Sequence, residues 1–174
     1  MFKIKKSVEI KKNGHLCFDF GCGKSKKKGY VGVDCQDFEC VDIVSDVNGF
    51  KNIPGSSACR IHSCHFIEHL GHDDVFFVLK QWMRILESRG ILTIYFPDIS
   101  LVIPETNIKI AINHVWGSRK DQYDYHKTFW TARSMMFMLQ YVGYANVRTI
   151  PYFGKLHPYK GDMAWTSGVE GIKK

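Results

Sequence analysis

Short apolar runs alternate with polar or glycine-rich connections along most of the chain. Runs of strand length lie at residues 15–20, 30–34, 41–45, 59–64 and 91–96. Such an alternation, with helical patterns between strands, is typical of a mainly parallel sheet with helices on both faces. The sequence therefore predicts an α/β fold.

Apolar residues at helical spacing predict two helices. The first begins near Asp73, whose carboxylate favours a helix N-terminus. Its apolar face comprises Val75, Leu79, Met83 and Leu86. The second follows a Thr131 cap and ends at Gly143, because Thr is a common N-cap and Gly a common C-terminal stop. Residues 146–150 and 163–169 are expected to add the last two strands.

The most informative stretch is FDFGCGKS at residues 18–25, where an apolar run breaks into a glycine-rich turn. Glycine lets the backbone come close to a ligand because no Cβ intervenes. Nine residues after Ser25, Asp34 ends the next apolar run. Its carboxylate can accept hydrogen bonds from both hydroxyls of a ribose. The pattern therefore predicts a nucleoside site.

Spacing decides between classes of nucleotide ligand. A dinucleotide fingerprint has three glycines and an acid about 20 residues further on. Here Lys26 stands at the third glycine position, and Asp34 follows Gly21 by thirteen residues, so this class is disfavoured. A phosphate-binding loop needs a glycine where Phe18 lies and a substantial helix after the loop. The Gly-Lys-Ser at residues 23–25 is therefore interpreted as accidental.

From Asp19 to Asp34 the chain resembles the class I S-adenosylmethionine-dependent methyltransferases. Their first motif is an acid followed by Gly-x-Gly-x-Gly, and their ribose-binding acid closes the second strand. Here Ser25 stands in place of the last glycine. Two later stretches agree: residues 64–70, CHFIEHL, resemble the family's fourth-strand signature, and residues 83–94 resemble its unit of helix, turn and fifth strand.

The resemblance covers residues 16–148, and residues 29–34 with 123–126 look like a compact branch linked with sugar and cell-envelope metabolism. It implies a Rossmann-like sheet closed by an antiparallel strand, with S-adenosylmethionine as the cofactor. The residues that it implies for donor binding are Asp19, Gly21, Cys22, Gly23, Asp34, Asp46 and His65. Asp34 would bind the ribose, while Asp46 would accept the adenine amino group or, equally, cap a turn.

Residues 97–127 do not fit the alternation, since they are too long for an ordinary connection and rich in functional groups. The segment leaves the carboxyl end of the fifth strand, where open α/β sheets bind ligands, so it is predicted to be a substrate-binding cap. Methyl transfer is an in-line displacement, and a hydroxyl or protonated amine acceptor must lose a proton. His65 and His126 are the candidate catalytic bases, with Asp98 as an alternative. Each histidine equally fits a structural role.

Composition fits one methyltransferase-like domain over residues 1–174, because a chain of this length with 45% hydrophobic residues can bury one sizeable core. No apolar window is long enough for a membrane span, and the lysine-rich N-terminus lacks an apolar signal core. A cytoplasmic protein is therefore expected. The formal charge of +7 fits a solvated surface better than a nucleic-acid interface, and it favours acidic or phosphorylated small molecules.

The cysteines and one histidine motif raise the question of a metal. The six cysteines form three pairs with five-residue spacing, whereas the ligands of zinc and iron-sulfur sites are usually about two or three residues apart within a knuckle. Free thiols that pack as small apolar groups are expected instead. His65-x-x-Glu68-His69 matches an inverted zinc-protease motif, but that motif needs one helix and this one is predicted at a strand end. No metal site is assigned, and Glu68 and His69 are expected to fix the turn or the cap.

The leading hypothesis is a methyltransferase that acts on a small-molecule or glycan-type acceptor. One alternative is a nucleoside-binding module that has lost catalysis. The other is a nucleic-acid methyltransferase, which the positive charge alone favours.

Overall fold

Strands of a single sheet run through the centre of the protein. The structure is a computed structural model that describes residues 1–5, 8–104, 107–151 and 165–174, apart from the side chain of Ile110. Within these ranges the strands are β1 (Phe2–Ile4), β2 (Leu16–Phe20), β3 (Val31–Asp34), β4 (Ile43–Ser45), β5 (Ala58–Cys64), β6 (Leu86–Pro97), β7 (Ala145–Ile150) and β8 (Thr166–Ile172). Their order in the sheet is β1-β4-β3-β2-β5-β6-β8-β7.

The helices follow the later strands. They are α1 (His72–Ile85), α2 (Ile99–Val102), α3 (Ile108–Trp116) and α4 (Ala132–Val142), with 3-10 turns at Val47–Asn52 and Ile67–His69. No helix among the described residues is long and apolar enough to cross a membrane.

The central strands are parallel, and β8 runs in the opposite direction between β6 and β7. β4, β3, β2, β5 and β6 pair in parallel, whereas β8 pairs antiparallel with both β6 and β7. The predicted Rossmann-like α/β sheet with an antiparallel closing strand is confirmed. Of the strand expected at 163–169, Met163 and Ala164 lie outside the described residues. β1 was not predicted, because a three-residue strand next to lysines shows no alternation.

Strand alternation gives the sheet one apolar face and one more polar face. On β2, Phe18 and Phe20 are fully buried. The ring of Phe20 packs against Phe50 at 4.7 Å and against Trp82 of α1 at 5.4 Å between centroids. Because successive side chains point to opposite faces, Asp19 lies on the other side of the sheet. The main core therefore lies between the sheet, α1 and the first 3-10 turn.

Helix α4 begins and ends as its sequence predicts. The Thr131 side chain accepts a hydrogen bond from the backbone of Ser134 in a capping box, and Gly143 ends the helix with a φ of +113°. A left-handed C-terminal residue of this kind favours glycine.

Loops rather than helices follow β2 and β3. Residues 21–30 and 35–42 contain turns and bends. The polar face of β2 is therefore covered locally by the loop that returns to β3, and Lys27 and Tyr30 of this loop lie near Asp19 and His62.

The six cysteines are free thiols. Cys17 lies closest to Cys59 on the neighbouring strand, with 3.6 Å between the sulfur atoms. Burial and the hydrogen bond with Cys59 raise the pKa of Cys17 to about 11. A thiol with this pKa stays protonated at neutral pH.

The core packing predicts a large difference between two Phe→Ala substitutions. Phe20→Ala should lower the free energy of unfolding by about 3–5 kcal/mol, because it removes a buried ring and leaves a cavity. Phe137→Ala, on the exposed side of α4 with 59% of the residue accessible, should change it by less than about 0.5 kcal/mol. Urea unfolding of the two variants measures both values, and similar losses would contradict the described core.

Candidate functional site

A glycine turn follows β2 and is hydrogen-bonded to the carboxyl end of β3. Gly21 and Gly23 have positive φ angles of 70° and 53°. The Gly21 amide donates to the carbonyl of Val33 at 2.8 Å, and the Gly23 amide donates to Oδ2 of Asp34 at 2.8 Å. A Cβ on Gly21 would lie 2.4 Å from the ring of Phe66, whereas a Cβ on Gly23 would meet nothing within 4 Å. The turn is thus packed against Phe66 at Gly21, and there is open space next to Gly23.

The carboxylate of Asp34 lies beside this open backbone. Its Oδ1 accepts a hydrogen bond from the amide of Gln36 at 2.9 Å, so each carboxylate oxygen has one protein donor. A carboxylate oxygen has two lone pairs, so Asp34 can still accept hydrogen bonds from two hydroxyls of a ligand. The turn also borders an open cleft of about 480 Å³, since Cys40 in its lining donates to the carbonyl of Gly23 at 3.2 Å. Asp34 and the glycine turn together present a polar edge to a ligand.

Asp19 precedes the glycine turn and binds the loop that follows it. It is buried, and its Oδ2 accepts a hydrogen bond from the amide of Lys27 at 2.8 Å, while its Oδ1 lies 2.7 Å from Nδ1 of His62. The cavity here has room for about one water molecule. Its lining comprises Asp19, Gly21, Cys22, Ser25, Lys27, His62 and Cys64. The Asp19 carboxylate therefore contacts the return loop and β5.

His62, which is 4% exposed, was not predicted from the sequence. A signal was available, because a carboxylate within an apolar strand needs a buried partner. His62 is in register with Asp19 on the neighbouring strand β5.

Asp46 caps a turn. Its Oδ1 accepts a hydrogen bond from the amide of Gly49 at the start of the 3-10 turn, and its Oδ2 contacts the amino group of Met1 at 2.6 Å. Of the two roles expected for Asp46, the cap is the one whose contacts are present.

His65 follows β5 in a left-handed conformation, with a φ of +52°. Its Nδ1 lies 3.2 Å from Oε1 of Glu68, and its Nε2 lies 3.5 Å from the hydroxyl of Thr166. Glu68 is 2% exposed. Burial opposes ionisation of Glu68, but the hydrogen bond with His65 and the positive charges of nearby histidines outweigh it and lower its pKa to about 2. A buried carboxylate thus orients the His65 ring.

The end of the predicted cap lies on the Ile67–His69 turn. The amides of Lys127 and Thr128 both donate to the backbone carbonyl of Glu68, at 2.7 and 3.1 Å. The Thr128 hydroxyl also donates to the carbonyl of Ile67 at 3.3 Å. These contacts bring His126, predicted from the cap, next to Glu68 and His69 from the strand end.

Glu68, His69 and His126 form a compact cluster. One ligating atom from each lies within 4.8 Å of the other two, and the two rings are 4.9 Å apart between centroids. Burial lowers the pKa of His126, although the negative charge of Glu68 acts in the opposite direction. At neutral pH the His126 ring is therefore mainly uncharged.

Asp98 is enclosed by protein donors. It is 3% exposed, and its Oδ1 accepts hydrogen bonds from the amide and the hydroxyl of Ser100 at 3.0 and 2.6 Å. Its Oδ2 accepts from the amide of Ala132 at 2.8 Å and the hydroxyl of Ser167 at 2.7 Å. Although Asp98 was a candidate base, its carboxylate connects α2, α4 and β8 instead of facing an open edge.

Asp98 should make stability depend on acid pH. Burial opposes ionisation, but the hydrogen bonds from Ser100, Ser167 and Ala132 outweigh it and lower the pKa of Asp98. Since the folded state ionises this group at lower pH than the unfolded chain, its stabilising contribution is complete above the ordinary pKa. That contribution is lost as the pH falls through the folded value.

Asp98→Asn should therefore lower the free energy of unfolding at neutral pH by about 1–3 kcal/mol, since an amide offers one oxygen to four donors. The loss should shrink in acid, as the pH falls below the ordinary Asp pKa of about 3.9 and then through the lower folded value. Urea unfolding at neutral and at acid pH measures it, with Glu9→Gln as the exposed control. An equal loss at both pH values would contradict this role.

Comparisons with known proteins place the fold. No family model and no curated protein sequence matches the chain. Among solved structures, a SAM-dependent methyltransferase from Archaeoglobus fulgidus is similar, with a TM-score of 0.66 and 18% identity over 91% of this chain and 86% of that one.

The chain has the fold of SAM-dependent methyltransferases. A Thermotoga maritima structure described as a SAM-dependent methyltransferase and possible histamine N-methyltransferase has a TM-score of 0.57 and 17% identity, over 91% of this chain and 82% of that one. Phosphoethanolamine N-methyltransferase 2 from Haemonchus contortus, in complex with S-adenosyl-L-methionine, has a TM-score of 0.60 and 12% identity over 94% of this chain. The match covers 49% of that enzyme, so the chain spans about half its length.

Proposed function

We propose that the protein transfers a methyl group from S-adenosylmethionine to a small-molecule or glycan-type acceptor. The observation that carries the proposal is the hydrogen bond between Gly23 and Asp34, which places an open backbone turn and a carboxylate at the carboxyl edge of parallel strands. Ligands of open α/β sheets bind at this edge. The fold shared with SAM-dependent methyltransferases supports methyl transfer as the reaction.

The donor would bind across the glycine turn. The backbone from Gly21 to Gly23 would face the methionine portion, and Asp34 would accept hydrogen bonds from the ribose hydroxyls. The open space above Gly23 fits this assignment, because a ligand can approach the backbone there. S-adenosylmethionine supplies an electrophilic methyl group on a sulfonium.

His65 is the best-placed base. The next residue, Phe66, packs under Gly21, so His65 lies beside the glycine turn. When Glu68 accepts the proton of Nδ1, the basic nitrogen of His65 is Nε2, on the side of Thr166. This arrangement of base and orienting carboxylate is common where a hydroxyl or amine must lose a proton.

Residues 97–127 would contribute the acceptor side of the site. Trp116, Tyr123 and Tyr125 in this segment are each about half exposed. Exposed aromatic rings offer flat apolar faces next to polar groups, which suits a small polar or glycan-type acceptor.

Donor binding tests the proposal through Asp34. Isothermal titration of the wild-type protein with S-adenosylmethionine and S-adenosylhomocysteine should show saturable binding. Asp34→Ala should weaken it by about 10–100-fold, since hydrogen bonds to a charged group contribute about 1.5–3 kcal/mol. The matched control is Glu9→Ala, which removes an exposed carboxylate ion-paired with Lys11 and should bind normally. Absence of binding by the wild-type protein would refute the donor site.

The base is tested by separating donor affinity from turnover. His65→Gln should leave the affinity for S-adenosylmethionine unchanged. It should lower the release of S-adenosylhomocysteine, with sugar and glycan acceptors, by about 10²–10⁴-fold. The control is His15→Gln, whose side chain is 72% exposed. Unchanged turnover in His65→Gln would exclude His65 as the base, and donor binding without any turnover would favour a nucleoside-binding module.

A further inference from the structure

We propose that Glu68, His69 and His126 bind one divalent transition-metal ion through two imidazole nitrogens and one carboxylate oxygen. The three side chains come from two distant parts of the chain, and the docking of Lys127 and Thr128 onto the Glu68 carbonyl holds them together. Their ligating atoms lie within 4.8 Å of one another.

Both imidazole rings are held in the form that ligates a metal. Nδ1 of His69 lies 3.1 Å from the carbonyl of Tyr125, and Nδ1 of His126 lies 2.9 Å from the carbonyl of His114. A backbone carbonyl can only accept, so each Nδ1 carries its proton and Nε2 is the nitrogen with a lone pair. Metal-bound histidines are typically oriented by such a hydrogen bond to a carbonyl or carboxylate.

Glu68 supplies an oxygen that has nothing else to bind. Its Oε1 contacts His65, while its Oε2 is buried and has no hydrogen-bond partner among the described residues. Burial of a carboxylate oxygen without a partner is costly. Within the described ranges Glu68 pairs with His65, and no lysine or arginine is ion-paired with it. A cation between Glu68 and the two rings would bind the unpartnered Oε2 and would also supply the positive charge that no lysine or arginine of the described ranges provides.

Metal binding requires the ligating atoms to move closer together. Ligands about 2.0–2.2 Å from a tetrahedral ion are roughly 3.3–3.6 Å apart, so a separation of 4.8 Å must shrink by about 1.2–1.5 Å. His69 and His126 are both partly exposed, so rotation of their side chains can bring the nitrogens closer. Two imidazoles and one carboxylate suit zinc, cobalt or related ions, and three protein ligands leave a coordination position open, as in catalytic sites.

The ion's role in catalysis rests on the proposed function, whereas its binding does not. Because the cluster lies next to His65, an acceptor hydroxyl can complete the coordination, and a bound divalent ion lowers the pKa of such a group. This deepens the proposed function by favouring oxygen as the nucleophile. His126 is then a metal ligand and His65 keeps the role of base.

Cobalt(II) is a suitable probe because its visible absorption reports coordination. Protein freed of metal with EDTA is titrated with Co²⁺ by calorimetry and by absorption. One equivalent should bind, and His126→Ala and His69→Ala should each weaken binding by about tenfold or more. The matched control is His72→Ala, which removes an exposed histidine from the same region and should bind as wild type. Thermal unfolding without Co²⁺ verifies that each variant folds. If one ligand variant does not fold, the other still tests the site.

Three results would overturn the metal site. They are the absence of saturable Co²⁺ binding, equal binding by the ligand variants and the control, and a thiolate-to-cobalt charge-transfer band, which would assign the ion to cysteines. S-adenosylmethionine binding is measured on the same metal-free protein. Donor binding without Co²⁺ binding refutes the metal site alone, and Co²⁺ binding without donor binding refutes the proposed function alone.

Discussion

Burial of carboxylates at one edge of the sheet is the constraint on which the rest of this structure depends. A buried carboxylate is tolerated only when donors or charges surround it, and three meet this need by joining separate segments. Asp19 joins β2 to the return loop and β5, Glu68 orients His65 next to the docked cap, and Asp98 joins α2, α4 and β8. Each lies at or beside a strand that leads to the candidate site.

These contacts explain how the carboxyl edge of the sheet keeps the shape of a ligand site although no helices follow β2 and β3. The glycine turn is fixed by the amide hydrogen bonds of Gly21 and Gly23 to the end of β3, and by the ring of Phe66. Asp19 fixes the loop beyond it. The position of Asp34 therefore depends on local hydrogen bonds rather than on a helix packed above the sheet.

Much of this fold is readable from sequence, because local rules determine it. The alternation of apolar runs predicts the central strands, and Thr131 and Gly143 predict the ends of α4 through the chemistry of caps. Asp34 follows Gly21 by only thirteen residues, and its carboxylate is hydrogen-bonded to the glycine turn. β1 escapes prediction because its partner β4 lies about 40 residues away and three residues carry no period.

The histidine cluster and the role of Asp98 depend on distant contacts, which single-chain patterns do not contain. His126 meets Glu68 only because the cap returns over the strand end, so the motif at residues 65–69 lacked its third partner in sequence. Asp98 looks like a functional group after Pro97, yet two of its four donors come from Ala132 and Ser167, far along the chain. His62 was also missed, although the buried charge of Asp19 required a partner.

The central claim is that the Gly21–Gly23 turn and Asp34 form the donor site beside His65. A crystal structure of the protein with S-adenosylhomocysteine tests it most directly. The account predicts both ribose hydroxyls within hydrogen-bond distance of the Asp34 carboxylate and the sulfur atom facing His65. A ligand bound elsewhere, or a ribose that does not contact Asp34, would contradict it.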